Sequence, residues 1–313
     1  MGTKPVVGTK PVVVGVDGSE ESLLAVEWAA MEARRRSCPL RIVSAPAAMP
    51  RVRAYHASPE TVATALRGIC ARALEAGVAR SEEVAPGLRV ATGILSGPPA
   101  LAVARSGADA SMLVVGARGT GGFTAMILGS VSRYAATRAP CPVVVVRQET
   151  MAVHREIAVG IRDPHNADGT LAFAFEEAAR RGADLVAVHA WYWFPSALHT
   201  EGNAVGAGTQ LPPADPAQIS AEAVNTLTAT LDGWRDKYPD VRVRPDVIRG
   251  HPGRVLASYS ARADLVVLGR HGSVSGPGSA GVPRDPGGPG VGSIVYTVLD
   301  HAHGPVAIVP AGG

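Results

Sequence analysis

Aromatic side chains are scarce in this sequence. Phe, Trp and Tyr together make up 4% of its 313 residues, too few for a row of rings on which single-stranded nucleic acid could stack. An excess of one charge is missing too. The formal net charge is +3, and lysines and arginines stand singly or in short groups, as at 34–36. Such short groups read as solvated helix ends rather than a stripe for a phosphate backbone. No apolar run approaches the roughly 18 residues of a membrane helix, and the segment around Lys4 and Lys10 lacks the apolar core of a secretion signal. Cysteine is limited to Cys38, Cys70 and Cys141, an odd number at no metal-ligand spacing, as in a reduced cytosolic protein. These absences predict a soluble, cytoplasmic protein that binds neither nucleic acid nor membrane.

What the sequence does contain is itself, twice. "VVVGVDGSEESLLAVEWAAMEARRRSCPLRIVSA" (12–45) matches "IAVGIRDPHNADGTLAFAFEEAARRGADLVAVHA" (157–190) at an offset of 145. "GILSGPPALAVARSGADASMLVVGARG" (93–119) matches 246–272 at an offset of 153, and "GSVSRYAATRAPCPVVVVR" (129–147) matches 292–310 at 163. Three ordered matches with growing offsets mean two copies of one domain, with insertions in the second. The copies span 10–148 and 156–311. Residues 1–9 hold an extra copy of "GTKPVV" and read as a disordered extension.

Within a copy the apolar runs are short and β-branched, at 12–16, 40–43, 112–115 and 143–146. Runs of this kind suit parallel strands covered on both faces, and 88–94 alternates loosely enough to supply a fifth. Between them lie helical stretches. After Ser19, which has the chemistry of an N-cap, Leu24, Trp28 and Met31 share a face at i, i+4, i+7. Residues 60–80, 98–106 and 130–138 read as further helices. Five strands alternating with four helices give a doubly wound α/β domain, with its ligand edge at the carboxyl ends of the strands.

One such edge carries "GARGTGGFTAMILGSVS" (116–132), where Gly116, Gly119 and Gly129 fall at G-x2-G-x9-G, followed by Ser130, Val131 and Ser132. Glycines allow a ligand to approach the backbone, consecutive N–H groups can converge on an anion, and a helix N-terminus adds free donors. Ser130 and Ser132 could donate to phosphate oxygens, and Arg118 could neutralise them. On composition alone, an ordinary loop with Ser130 capping a helix is the competing reading. Neither GxxxxGK[ST] nor, in the first strand–helix turn "GVDGSE", GxGxxG is present, which argues against a P-loop NTPase and against dinucleotide binding.

The G-x2-G-x9-G-S loop, "VGVDGS" on the first strand, "SGPP" before a helix and "APCPVVVVR" at the end together resemble a universal stress protein domain, in two tandem copies over nearly the whole chain. The resemblance implies two Rossmann-like doubly wound α/β domains, each with a five-stranded parallel sheet, and ATP binding in one branch of the family. It implies no catalytic residues, and pairing of the domains through their last strands. Here that pairing would be intramolecular, with a homodimer left open. By the same resemblance Asp17 would meet adenine or ribose, Gly15 would let the nucleotide lie close, and the backbone at Ala45 would meet the adenine edge. Gly116, Arg118, Gly119, Gly129, Ser130, Val131 and Ser132 would hold phosphates and ribose, with Mg2+ as a counter-ion of ATP.

The second copy departs from this pattern. Gly160, Gly269, Gly272, Gly292 and Ser293 remain, so a second nucleotide site and a degenerate scaffold both stay open. Arg162 replaces Asp17, with Asp163 beside it, and His271 replaces Arg118. The nine-residue spacer becomes a Gly/Pro-rich stretch of nineteen, 273–291. "AWYWFP" (190–195) gathers aromatics that could plug one domain onto the other or stack on a base. His301 and His303 in "DHAHGP" have too little around them for a metal site. The resulting expectation is an ATP-binding regulatory or sensor protein of the stress response. A slow ATPase and a nucleotide-independent scaffold are the alternatives. Phosphoryl transfer needs metal ligands and charge stabilisation, and 116–132 holds no carboxylate or lysine, so any hydrolysis should be incidental.

Overall fold

The computed structural model describes residues 9–46, 58–119, 128–147, 153–191, 216–270 and 292–310. The first half runs β1 (Val12–Gly15), α1 (Glu20–Arg35), β2 (Leu40–Ser44), α2 (Pro59–Val84), β3 (Val90–Ile94), α3 (Pro99–Arg105), β4 (Met112–Gly116), α4 (Ser130–Arg138) and β5 (Val143–Val146). The second half repeats it as β6 (Glu156–Gly160), α5 (Asp168–Arg181), β7 (Asp184–Trp191), α6 (Pro216–Lys237), β8 (Val243–Arg249), α7 (Pro252–Tyr259), β9 (Leu265–Arg270), α8 (Ser293–His301) and β10 (Val306–Pro310). The extra "GTKPVV" copy, the aromatic residues 192–195 and the insertion 273–291 lie outside the described residues.

Each half is a parallel sheet in the order 3-2-1-4-5, doubly wound as its alternation of strands and helices requires. The valine runs are buried on both faces: Val12, Val13 and Val14 have no exposure at all. Even-numbered side chains of β1 face α1 and α2, whereas Val13 faces α3 and α4. β5 and β10 then pair antiparallel, Val306 opposite Val145 and Ala307 opposite Val144. The result is one ten-stranded sheet, β3-β2-β1-β4-β5-β10-β9-β6-β7-β8, whose two core layers run through both halves.

Ser19 caps α1, its hydroxyl accepting from Ser22 N at 3.2 Å. Of the stripe expected on α1, Trp28 is buried in the core, but small residues make up the rest of the buried face. Ala25, Val26, Ala29, Ala30 and Ala33 are fully buried, while Leu24 and Met31 are partly exposed. Small side chains let the helix lie close to the sheet and leave room for a neighbour on its other flank.

That neighbour is α5. Glu32 and Glu177 occupy matching repeat positions, as do Arg36 and Arg181. Arg36 Nε donates to Glu32 Oε1 at 2.6 Å, and its Nη2 crosses to Glu177. Arg181 Nη2 crosses to Glu32 Oε2 at 2.6 Å and donates to Glu177 Oε2 at 3.0 Å. Arg36, expected on a solvated helix end, instead has an 11% exposed side chain, and both carboxylates are fully buried. The matching rings complete the arrangement: Arg181 lies over Trp28 at 5.3 Å and Arg36 over Phe173 at 6.0 Å. Burial pushes the Glu32 carboxyl up, but the guanidiniums of Arg181 and Arg36 outweigh it and hold Glu32 below the ordinary carboxylate range. Burial and the nearby Glu32 charge push Glu177 up. The two acids in one cage therefore give up their protons in sequence.

Removing one acid leaves two buried guanidiniums sharing the single carboxylate of Glu32. Glu177→Ala should lower the unfolding free energy by about 3–5 kcal/mol, the usual cost of breaking a buried ionic arrangement by removing one partner. Replacing both glutamates by Leu and both arginines by Met should recover most of that. Urea unfolding of the two variants measures both effects, and a loss below about 1 kcal/mol for Glu177→Ala would show that the cage does not hold the halves.

Candidate functional site

At the carboxyl edge of the first half, β1 is flanked by β2 on one side and β4 on the other, so the chain leaves the sheet in opposite directions and a crevice opens between β1 and β4. β1 ends in a turn where Gly18 takes φ +86°, a conformation open to glycine. Asp17 Oδ1 accepts from Ser19 N at 3.0 Å and from Ser19 Oγ at 2.6 Å. One carboxylate oxygen is thus fixed by the turn. The other, Oδ2, faces Gly119 so closely that a Cβ there would collide with it. Two motifs a hundred residues apart meet at this point.

The loop itself is built differently from the expectation for Ser132 and Gly129. Ser132 is 3% exposed, and its hydroxyl donates to the Gly116 carbonyl at 2.6 Å, with Ala117 O at 3.3 Å. Gly129 N donates to Ala117 O at 2.8 Å. Both donors close the base of the loop, so neither has a proton left for a phosphate. Gly116 is glycine for a similar reason: a Cβ would stand 2.6 Å from the Glu21 carbonyl, where α1 crosses the strand end. At Gly15 the space over the backbone is taken by Val103, whose methyl would stand 3.2 Å from a Cβ at that position, rather than left open to a ligand.

The remaining residues face outward. Ser130 is exposed at the first position of α4, with Gly129 as N-cap, and first-turn amides have no acceptor within their own helix. Val131 and Ala45 are half-buried against the core. Arg118 is 47% exposed and pairs with Glu21 at 3.3 Å; an exposed pair of this kind contributes little and exchanges readily for another anion. Residues 120–127 lie outside the described residues.

In the second half Gly160, Gly269 and Gly292 line an equivalent crevice of about 90 Å3, together with Leu256, Leu268 and Ile294. Arg162 stands exposed where the first half has Asp17. Asp163, next to it, is tied to the 3-10 turn Pro164–Asn166, its Oδ2 accepting from Asn166 Nδ2 at 2.6 Å. Ser293 opens α8; His271 and Gly272 lie outside the described residues.

Sequence reading did not find a larger cleft of about 310 Å3 beside Arg118, lined also by Arg147, Asp300, His301 and His303. No local pattern could reveal it, since Arg147 and Asp300 come to line one cleft only once β5 and β10 pair. Among the described residues no cluster of three or more His, Cys, Asp or Glu side chains is arranged for a metal, and no helix is long and apolar enough to cross a membrane. All three cysteines are buried, and burial pushes the Cys141 thiol up to about 11, which keeps it from acting as a nucleophile.

The model of the universal stress protein family matches the chain twice, over residues 8–147 and 154–310. A universal stress protein of Mycobacterium tuberculosis is 34% identical over 269 residues, covering 83% of this chain and 87% of its own. A second from the same organism is 30% identical over 316 residues, covering 95% of each. The crystal structure of a universal stress protein from Archaeoglobus fulgidus superposes with a TM-score of 0.66 at 14% identity, over 96% of each chain. At that identity the structural likeness concerns the fold.

The hydroxyl of Ser132 gives a test of how the loop is held. Ser132→Ala takes this donor from the buried Gly116 carbonyl, while Ala117 O keeps Gly129 N, and should cost about 1–3 kcal/mol of stability, the range for an unsatisfied buried polar group. Thermal unfolding checks this; an unchanged melting temperature would return the hydroxyl to the groups open to a ligand.

Proposed function

The chain belongs to the universal stress protein family as a tandem pair of its domains, and on that premise we propose that its first half is an ATP-binding regulatory module. The observation that carries this reading is the meeting of Asp17 with Gly119 at the switch point of the sheet. A carboxylate fixed by the turn through one oxygen presents the other toward the loop, where it accepts from a ribose hydroxyl or the adenine amine. The outward amides of α4, Ser130 and Arg118 then take the phosphates, and Mg2+ accompanies ATP as its counter-ion. Ala45 offers backbone to the adenine edge.

Binding rather than turnover suits this residue set. Asp17 is tied to the turn of α1, and the charged side chain that the described loop offers a phosphate is Arg118. Phosphoryl transfer requires held metal ions and a positioned nucleophile. A slow, incidental hydrolysis is the alternative, and it would appear as ADP in protein incubated with ATP and Mg2+. A scaffold that needs no nucleotide is the second alternative, favoured for the second half by Arg162 and by the turn that occupies Asp163. In this reading the two halves work as one paired unit within the chain, and a cytoplasmic setting follows from the reduced cysteines.

Mass spectrometry of nucleotide released from the native protein tests the first half directly. ATP is the expected ligand; protein that carries none, and takes up none on titration, would leave only the scaffold reading. Titration should also show one tight site. Loss of the carboxylate that accepts from the ligand costs about 1.5–3 kcal/mol, which places the second half at least about tenfold weaker. Gly119→Val and Asp17→Ala should therefore remove most binding while Gly272→Val changes little. Equal sensitivity to Gly119→Val and Gly272→Val would overturn the asymmetry.

A further inference from the structure

We infer that the second half completes the phosphate end of the first half's nucleotide site, so that this site selects polyphosphate over monophosphate nucleotides. The inference rests on the nucleotide reading above and goes beyond it, because neither half alone contains the residues concerned.

The cleft of about 310 Å3 lies where the carboxyl ends of β4 and β5 meet the end of α8 and the entry to β10. Its volume is in the range of small-ligand pockets. The first half contributes Arg118, Arg147 and Glu21; the second contributes Asp300, His301 and His303. Arg147 ties the two together, its Nη2 donating to the Leu299 carbonyl near the end of α8. Across the dyad Arg270 Nη1 donates to the Ala139 carbonyl at 2.8 Å, just past α4. Each half thus caps the other's last helix with an arginine from a strand end, and the cleft's walls are held at a fixed separation.

Arg118 belongs to both places. Its loop begins at the crevice beside Asp17, and its guanidinium stands in the cleft against Glu21. A nucleotide with its sugar at Asp17 and its first phosphate at Arg118 has the cleft ahead of it, and further phosphates displace Glu21 as the partner of Arg118. His301 is exposed on the opposite wall, where its ring N–H can donate to the outer phosphate oxygens, and His303 is exposed two residues on. Asp300 opposes this. Its Oδ1 is buried without a partner among the described residues, and its charge repels a phosphate. The signs of these contributions differ, which makes them separable.

The test uses the full chain, titrated calorimetrically with AMP, ADP and ATP at constant Mg2+. The wild type should bind ATP about tenfold or more tightly than AMP, the worth of one charge-assisted hydrogen bond. The double variant His301→Ala, His303→Ala should cut that ratio to about threefold or less. Asp300→Asn, which removes the repulsion and keeps the shape, should raise the ratio about threefold. A wild type that binds AMP and ATP equally would overturn the inference while leaving the nucleotide reading intact. So would histidine and Asp300 variants that shift AMP and ATP alike. A wild type that binds none of the three overturns both. Should the double histidine variant fail to fold, Asp300→Asn decides the matter, because a merely structural role for Asp300 does not raise the ratio.

Discussion

Val143–Val146 is four valines in a row, and at the edge of a lone domain it would offer unpaired backbone and bare apolar side chains to any neighbour. Pairing it antiparallel with Val306–Pro310 of the same chain removes both problems at once. That single ladder fixes a pseudo-twofold axis, and the axis dictates what lies around it. On one face α1 and α5 come together, so their matching glutamates and arginines face each other and must pair. On the other face α4 and α8 approach, and Arg133 lies over Tyr296, its repeat equivalent, at 5.2 Å. The cleft beside Arg118 is the gap left where the carboxyl edge of one half meets the end of the other half's last helix.

The cage of Glu32, Arg36, Glu177 and Arg181 contributes more to specificity than to net stability. Four buried charges recover in mutual attraction about what they lose in hydration, so a well-packed apolar cluster would hold as tightly. What the charges add is a single register. A shift of α5 along α1 by one turn would leave a carboxylate facing a carboxylate, each out of water. Greasy helices would tolerate that slip; these cannot. The valine ladder supplies the attraction, and the cage restricts it to one geometry and one partner.

Most of the architecture was legible in the sequence because it is written in local periods. The β-branched runs became β1, β2, β4 and β5, the loose alternation at 88–94 became the edge strand Val90–Ile94, and Ser19 caps α1. The repeat announced itself through its offsets. What misled was residue type taken without its surroundings. Leu24 and Met31 looked like a core stripe, yet the alanines of α1 are what the sheet demands. Arg36 looked like a solvated helix end because its partner Glu177 lies 141 residues away. Ser132 looked like a phosphate donor, and its hydroxyl is consumed by carbonyls of its own loop. In each case the deciding contact is non-local, and neither period nor propensity carries it.

The two halves have diverged in a direction that their pairing permits. Once β10 is fused in the same chain as β5, the partner surface is always present at high effective concentration, and the second half is needed to cover an edge whether or not it holds a ligand. Its crevice is then free to drift. Arg162 can replace the acid and Asp163 can turn back into its own turn, while Gly160 is held by packing, since a Cβ there would stand 2.8 Å from Leu268; over Gly292 the space is open. The persistence of Gly160 alone is therefore no sign of a working site. What distinguishes the first half is not its glycines but the side chains that packing does not explain. They are Asp17, with one oxygen turned toward the loop, and Arg118 in an exposed pair that another anion can replace.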